Sequence, residues 1–225
     1  MKIKTTIGAC SYEDGIEFFL QKKIGYSSRA RLLKNGEIEV SIVEKEHSFL
    51  NKSKCSLKEK IIMFFMIIII MYIMNLVNSP LLKHILNMLI VWCFVIVFFY
   101  TGSKNPSTRR FHGAEHKVLN AFETLKRTPT IEEALRYSRY YMFCGGTIVA
   151  VLLSIVTVIY FGLVIFDHIV FSALFIIIML YLVLKLWAND QLNFLQSFTT
   201  AEPTVIEIKV AIEGLKGFIK EEGLD

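Results

Sequence analysis

Charged residues are almost absent from four long stretches of this 225-residue sequence. The stretches are Ile61–Val77, Ile85–Tyr100, Gly146–Phe166 and Ile169–Trp187, and Lys185 is the only charged side chain within them. Each is close to or within the roughly 17–25 residues that a helix needs to cross a bilayer. With 54% hydrophobic residues and a mean hydropathy of +0.50, the chain is too apolar for an ordinary soluble domain. The pattern excludes a purely soluble fold and predicts four transmembrane helices.

Cysteine is also scarce, and its four positions are widely scattered with no C-x-x-C pair: Cys10, Cys55, Cys93 and Cys144. This spacing excludes a disulfide-stapled scaffold and leaves a free thiolate available as a metal ligand. The N-terminal residues lack the basic-then-apolar pattern of a cleaved signal peptide, since the first apolar run begins only at Ile61. Basic segments with interleaved aromatic residues are missing as well, so nucleic acid is not an expected partner.

Basic residues alternate strongly between the segments that connect the apolar stretches. There are twelve Lys and Arg in 1–60, one in 78–84, eight in 101–145, none in 167–168 and three in 188–225. The positive-inside rule therefore predicts that both termini and the 101–145 loop are cytoplasmic. We expect a multi-pass protein of the inner (cytoplasmic) membrane whose main partner is the lipid bilayer. The oligomeric state is left open.

The predicted fold class is mainly α, a polytopic membrane protein with cytosolic amphipathic helices and a small N-terminal β-hairpin. Its segments are a cytosolic N-terminal part (1–60), a first transmembrane hairpin (61–100), a cytosolic loop (101–145), a second transmembrane hairpin (146–187) and a cytosolic helical tail (188–225). These boundaries follow the changes from apolar to charged composition along the chain.

Short-range patterns predict the elements outside the membrane. Asn35-Gly36 between two alternating runs indicates the β-hairpin. A helix is expected over Phe111–Lys126, and a capping box from Thr130 to Glu133 starts a second helix that should run to about Tyr141. An amphipathic helix is expected from Thr204 to near Gly223.

The most informative polar residues are His112, Glu115 and His116, which form an H-x-x-E-H pattern. On a helix these three residues fall at i, i+3 and i+4 and share one face. In the inverted zincin motif, two imidazoles with this spacing bind a metal ion and the carboxylate handles protons. The spacing predicts a divalent metal site, zinc by preference, with Glu115 either as the catalytic base or as an outer-shell partner of the ligands. If the motif instead lies in a turn at the helix start, the imidazoles need not converge.

Two imidazoles are too few for a catalytic zinc site, which normally has three protein ligands and a water. Cys144 and Glu202 are both candidate third ligands, the first before a flexible Gly-Gly pair and the second before a proline. Glu123 is a third candidate on the same helix face, although it lies about two turns from His116. The competing interpretation has no metal, only polar groups that bind each other and lipid headgroups at the membrane edge.

The segment Arg110–Lys117 resembles the HGAEHK motif of the YqhQ-like bacterial membrane proteins, a family known as domain of unknown function 1385 and described as predicted metal-dependent enzymes. The resemblance covers roughly 27–45 and 85–215, and it makes three further polar residues site candidates: Lys117, Asn120 and Glu123. The chain departs from the family at three positions that carry His, Arg and Arg there: Tyr141, Phe143 and Ala201.

Two functional hypotheses follow. The first is a metal-dependent hydrolase at the cytosolic membrane face, acting on a lipid-like or membrane-delivered substrate, with Glu115 accepting a proton from metal-activated water. The second is a non-enzymatic scaffold or regulator whose hairpin and C-terminal helix contact cytosolic partners. Transport is disfavoured because the apolar spans lack the buried charges that mark an ion or substrate path.

Overall fold

The computed structural model describes most of the chain, in six ranges: 7–20, 24–46, 78–102, 105–166, 168–189 and 191–223. The predicted first span, Ile61–Val77, lies outside the described residues, as does most of the charged linker before it.

The N-terminal part folds as a four-stranded antiparallel sheet rather than as a single hairpin. Its strands follow chain order across the sheet: β1 (Ile7–Ser11), β2 (Gly15–Leu20), β3 (Ile24–Leu32) and β4 (Ile38–Glu46). The predicted hairpin corresponds to β3 and β4. Its turn is longer than a two-residue Asn-Gly turn, because Leu33 N–H donates to the Glu37 carbonyl at 2.9 Å. Gly36 supplies the required positive φ of 85°.

Seven helices follow in the described part of the chain. They are α1 (Pro80–Gly102), α2 (Pro106–Leu125), α3 (Ile131–Leu135), α4 (Gly145–Ile165), α5 (Ile169–Ala188), α6 (Phe194–Thr199) and α7 (Val205–Glu221). Three of them, α1, α4 and α5, are long and apolar enough to cross a membrane. The structure confirms that these three predicted spans are helices of sufficient length and apolar composition, and the count of four stays a prediction.

Two predicted helix boundaries were wrong. The motif helix α2 begins at Pro106 rather than Phe111, because the Asn105 side chain caps it by accepting from Ser107 N–H at 2.8 Å. Its histidines therefore lie well inside the helix and not in a turn at its start. The helix α3 starts with the expected capping box but ends at Leu135 instead of Tyr141. The backbone carbonyls of Tyr137 and Ser138 accept hydrogen bonds from side chains of α2, so they do not continue the hydrogen-bond pattern of a helix.

The sheet, α2 and α7 share one hydrophobic core. The helix α7 lies across β2 and β3, and Gly214 lets it approach closely, since a Cβ there would be 3.1 Å from Ala30 Cβ and 3.2 Å from Phe18 Cδ2. The helix α2 adds Phe111 to the same cluster and packs on both α7 and β1. These three parts of the chain therefore lie on one side of any membrane that α1, α4 and α5 cross.

The apolar helices contact one another through small and branched side chains. The helices α4 and α5 pack along their length, with Val158 and Val183 in a shared cluster. The helix α1 joins them through Trp92, whose Nε1 donates to Thr157 Oγ1 at 3.3 Å. Most other large apolar side chains of these helices face outward, as expected for helices surrounded by lipid.

Glu207 at the start of α7 gives a first testable prediction. Burial alone would raise the pKa of its carboxyl, but hydrogen bonds from Thr204 and from Arg110, at 2.8 Å, hold that pKa below its ordinary value of 4.5. Since the folded-state pKa is the lower one, this carboxylate stabilises the fold above about pH 4.5, and its contribution is lost as the pH falls. We expect Glu207→Gln to cost about 1 kcal/mol near neutral pH, in the range of a lost cap, and less in acid.

Thermal unfolding of detergent-solubilised protein at neutral and acid pH measures this effect. Glu213, which is partly exposed and pairs with Lys216 at 2.8 Å, offers a matched control, and Glu213→Gln should change stability little at either pH. An equal loss for Glu207→Gln at both pH values would contradict the argument.

Candidate metal centre

The helix α2 places the two histidines of the motif one above the other. His112 and His116 are one turn apart, and their ring centroids are 4.4 Å from each other in an edge-to-face arrangement. His116 is almost fully buried and His112 is partly exposed. The helical spacing therefore does bring the two imidazoles together, as the i and i+4 positions predict.

The orientation of each ring is set by a backbone carbonyl outside the helix. His112 Nδ1 lies 3.2 Å from the Thr199 carbonyl oxygen, and His116 Nδ1 lies 2.7 Å from that of Arg139. A carbonyl only accepts hydrogen bonds, so each Nδ1 carries a hydrogen, and in the neutral form of each ring Nε2 keeps its lone pair. Metal-bound histidines in proteins are usually held in this way by a partner behind the ring.

Cys144 completes a group of three donors with the imidazoles. Its Sγ is 3.7 Å from His112 Nε2, and one donor atom from each of Cys144, His112 and His116 lies within 4.8 Å of the other two. Zinc bonds of about 2.0–2.1 Å to nitrogen and 2.3 Å to sulfur in a tetrahedron place the two atoms about 3.6 Å apart. The observed sulfur–nitrogen distance fits this geometry. Cys144 occupies the N-cap of α4, so the group lies at the end of a helix that is long and apolar enough to cross a membrane.

Glu115 lies beside this group and not within it. Its Oε2 accepts a hydrogen bond of 2.6 Å from Ser11 Oγ, which reaches it from strand β1. Burial raises the pKa of the Glu115 carboxyl, although the charge of His112 and the Ser11 hydrogen bond oppose this rise. Sequence analysis missed Ser11, and no local pattern could have found it, because 104 residues separate it from Glu115.

The two imidazoles differ in their affinity for a proton. Burial disfavours the charged form of His112, but the hydrogen bond with Cys144 and the charge of Glu115 more than compensate and raise its pKa to about 9. Burial and the neighbouring charge of His112 lower the pKa of His116 well below 6.5. His116 is therefore neutral at physiological pH, which is the form in which histidine binds a metal. His112 is charged there in the metal-free protein, so a metal ion has to displace the proton from its Nε2.

The other predicted site residues have different partners. Glu202 is exposed and pairs with Lys117 Nζ at 2.8 Å, outside the three-donor group. Lys117 is buried and also donates to the carbonyls of Leu135 (3.1 Å) and Tyr137 (2.9 Å). Asn120 Nδ2 donates to two more carbonyls of the same irregular segment, those of Ser138 and Tyr140. Lys117 and Asn120 thus hold the irregular segment after α3 against α2, and Glu202 pairs with Lys117. The prediction that Glu202 is a metal ligand stays a prediction.

Glu123 lies behind His116 rather than next to the thiol. Its Oε1 accepts a hydrogen bond of 2.5 Å from the Tyr141 hydroxyl, and the Tyr141 ring lies 5.8 Å from that of His116. This carboxylate fixes an aromatic ring that packs on one imidazole. In the described residues it is not part of the group of three donors.

Comparison with known proteins gives one family. A family described as "Protein of unknown function (DUF1385)" matches residues 21–189, well over half of the chain. The matched range includes His112, His116 and Cys144 and the three apolar helices, and it ends before α6 and α7. No curated protein and no solved structure matches the chain.

Proposed function

The chain belongs to the DUF1385 family of proteins of unknown function, and from that premise we propose that it is a membrane protein with a zinc-type metal site formed by His112, His116 and Cys144. The observation that carries the proposal is the 3.7 Å separation between Cys144 Sγ and His112 Nε2. In the neutral ring this nitrogen offers its lone pair, because the hydrogen lies on Nδ1, which faces the Thr199 carbonyl. Three protein donors with a fourth position left for water are typical of catalytic rather than structural zinc sites.

The reaction class that suits this arrangement is hydrolysis. A bound zinc ion supplies Lewis acidity and lowers the pKa of water. Glu115 is the proposed proton acceptor, because Ser11 holds one of its oxygens and so orients the carboxylate next to the ligands. Cys144 lies at the first turn of an apolar helix, and the neighbouring Phe143 is 50% exposed. A lipid-like or membrane-delivered substrate therefore suits the site better than a soluble one.

In the proposed topology the protein crosses the inner membrane four times. The metal site then lies on the cytoplasmic side. Strand β1 precedes α1 and helix α2 follows it, yet Ser11 and Glu115 of these two elements are in contact. The helix α1 alone would leave the two elements on opposite sides. An additional crossing before α1 resolves this, and by sequence Ile61–Val77 has the composition for it. The distribution of Lys and Arg favours the cytoplasmic side.

Metal analysis of the detergent-purified full-length protein tests the proposal. We expect about one zinc ion per chain in the wild type and a loss of most bound zinc in His112→Ala and in Cys144→Ala. His168→Ala is the matched control, since His168 is exposed at the start of α5 and should leave metal content unchanged. Wild-type protein that takes up no stoichiometric metal would contradict the proposal, and so would His112→Ala with full metal content.

One observation favours the second candidate function, that of a scaffold. The edge strand β4 exposes apolar side chains, with Val40 at 39%, Ile42 at 40% and Val43 at 43%. Exposed edge strands are available for pairing with another chain. The test is whether each variant restores the phenotype of a strain that lacks the protein. If the protein is a scaffold, Val43→Lys should fail to restore it and Glu115→Gln should restore it. If it is a hydrolase, the two substitutions should have the opposite effects.

A further inference from the structure

The backbone N–H of Cys144 donates to the Tyr141 carbonyl at 3.1 Å, so the position of the thiol depends on where Tyr141 lies. Cys144 caps α4 without a side-chain hydrogen bond to the helix, and the segment from Arg136 to Phe143 before it has no regular secondary structure. Something else has to keep the thiol within reach of His112. We propose that Gln196 of α6 is the positioning residue that sets Cys144 against the two imidazoles; this inference rests on the proposed metal site.

Gln196 first holds the backbone three residues before the thiol. Its side chain is fully buried, and its Oε1 accepts from Tyr141 N–H at 2.9 Å. Its Nε2 donates to the carbonyl of the same Tyr141 at 2.8 Å. The carboxamide thus binds both polar groups of one residue, as a neighbouring strand would in a sheet. These two hydrogen bonds fix the path of the backbone just before Cys144.

Gln196 also holds the chain three residues after the thiol. Its Nε2 contacts Thr147 Oγ1, and Thr147 in turn donates to Asn193 Oδ1 at 3.0 Å. Thr147 is fully buried in the first turn of α4. One carboxamide therefore binds the chain on both sides of Cys144, so the cysteine has little freedom to move relative to α6.

The same short helix also orients His112. The carbonyl that His112 Nδ1 contacts belongs to Thr199, the last residue of α6. Arg109, one turn before His112 on α2, fixes this end of α6 by donating to the carbonyls of Ser197 (3.1 Å) and Thr200 (3.3 Å). The positions of two of the three donors, His112 and Cys144, thus depend on contacts with the single helix α6. Gln196 is the residue of α6 that contacts the chain on either side of Cys144.

A merely structural role would make Gln196 important for folding and nothing more. A positioning role predicts a specific change in how the ion is bound in protein that still folds. Cobalt(II) is the appropriate probe, because a thiolate bound to cobalt gives a charge-transfer absorption band in the near ultraviolet, whereas imidazoles do not. The intensity of that band reports directly on the sulfur–metal bond.

The experiment compares Gln196→Met, which keeps the length of the side chain and removes its hydrogen bonds to Tyr141 and Thr147, with Gln191→Met. Gln191 is exposed five residues earlier and is the matched control. We expect wild type and Gln191→Met to show the thiolate band and Cys144→Ala to lack it. Gln196→Met should bind cobalt about 10- to 100-fold more weakly, which is the range for outer partners of metal ligands, with a reduced band.

Thr147→Val keeps the inference testable if Gln196→Met does not fold. It removes one hydroxyl of the same network and should shift affinity and band intensity in the same direction by a smaller amount. Folded Gln196→Met or Thr147→Val protein with wild-type cobalt affinity and band intensity would overturn the inference.

Failure of the metal site itself would look different, since the wild type would then bind no cobalt. In that case alkylation of Cys144 in metal-free protein, with Cys10, Cys55 and Cys93 replaced by serine, still tests the positioning. Gln196→Met should react severalfold faster than the Gln191→Met control, and equal rates would count against the role of Gln196.

Discussion

Gly113→Ala is expected to abolish metal binding and to destabilise the protein by about 3 kcal/mol, near the upper end for overpacking of a close contact. A Cβ at this position would lie 2.1 Å from the Ala201 carbonyl oxygen and 3.4 Å from Pro203 Cδ. The obstacle is backbone, and it cannot move freely because Ala201 N–H donates to the Arg109 carbonyl at 2.9 Å. Displacement of this segment would also withdraw the Thr199 carbonyl from His112.

Gly145→Ala is the matched control for this prediction. Gly145 is the first residue of α4, next to Cys144, and a Cβ there would meet no atom within 4 Å. Alanine should be neutral or stabilise the helix by up to about 1 kcal/mol. Thermal unfolding and metal analysis of both variants measure the difference. Wild-type stability and metal content in Gly113→Ala would show that the contact with Ala201 is not as close as described.

Lys117→Met is expected to loosen the chain between α3 and α4 and to destabilise it by about 3 kcal/mol. The buried ammonium group donates to the carbonyls of Leu135 and Tyr137 and pairs with Glu202. Methionine fills the space but leaves two carbonyls without their donor, and each unpaired buried group costs about 1–3 kcal/mol. The Arg139 carbonyl that orients His116 belongs to the same segment, so zinc affinity should fall about tenfold.

Amide hydrogen exchange tests this prediction locally. Faster exchange is expected in residues 136–143 of Lys117→Met, while amides of strand β3 keep their protection. Lys209→Met is the control, because Lys209 is exposed on α7. If exchange in 136–143 is the same in the two variants, Lys117 does not hold that segment.

The local part of the site was predictable from sequence, and the long-range part was not. Helical periodicity alone places His112 and His116 on one face, and the structure agrees. The choice between Cys144 and Glu202 could not be made, because an irregular segment lies between α3 and the cysteine and periodicity carries no information across it. Family membership was recognisable from the HGAEHK segment and is confirmed by the match over 21–189.

The missed features share a physical cause. Strands β1 and β2 are short and carry glycines at Gly8 and Gly15, where the opposing strand approaches closely, so the alternation that marks a strand is weak. Ser11 acts through a partner 104 residues away, and Gln196 reaches the two sides of Cys144 through partners 55 and 49 residues away. A hydrogen bond between such distant residues leaves no trace in local spacing. The membrane helices, in contrast, were visible because apolar length is itself a local property.

The core shared by the sheet and α7 has a consequence for biosynthesis. Strands β2 and β3 leave the ribosome before the apolar helices, whereas α7, which covers these strands, leaves it after them. The apolar face around Phe18 and Ala30 therefore stays uncovered throughout translation and insertion of the apolar helices. Premature termination before α7 would leave that face permanently open, so such products should be rapid targets of chaperones and proteases.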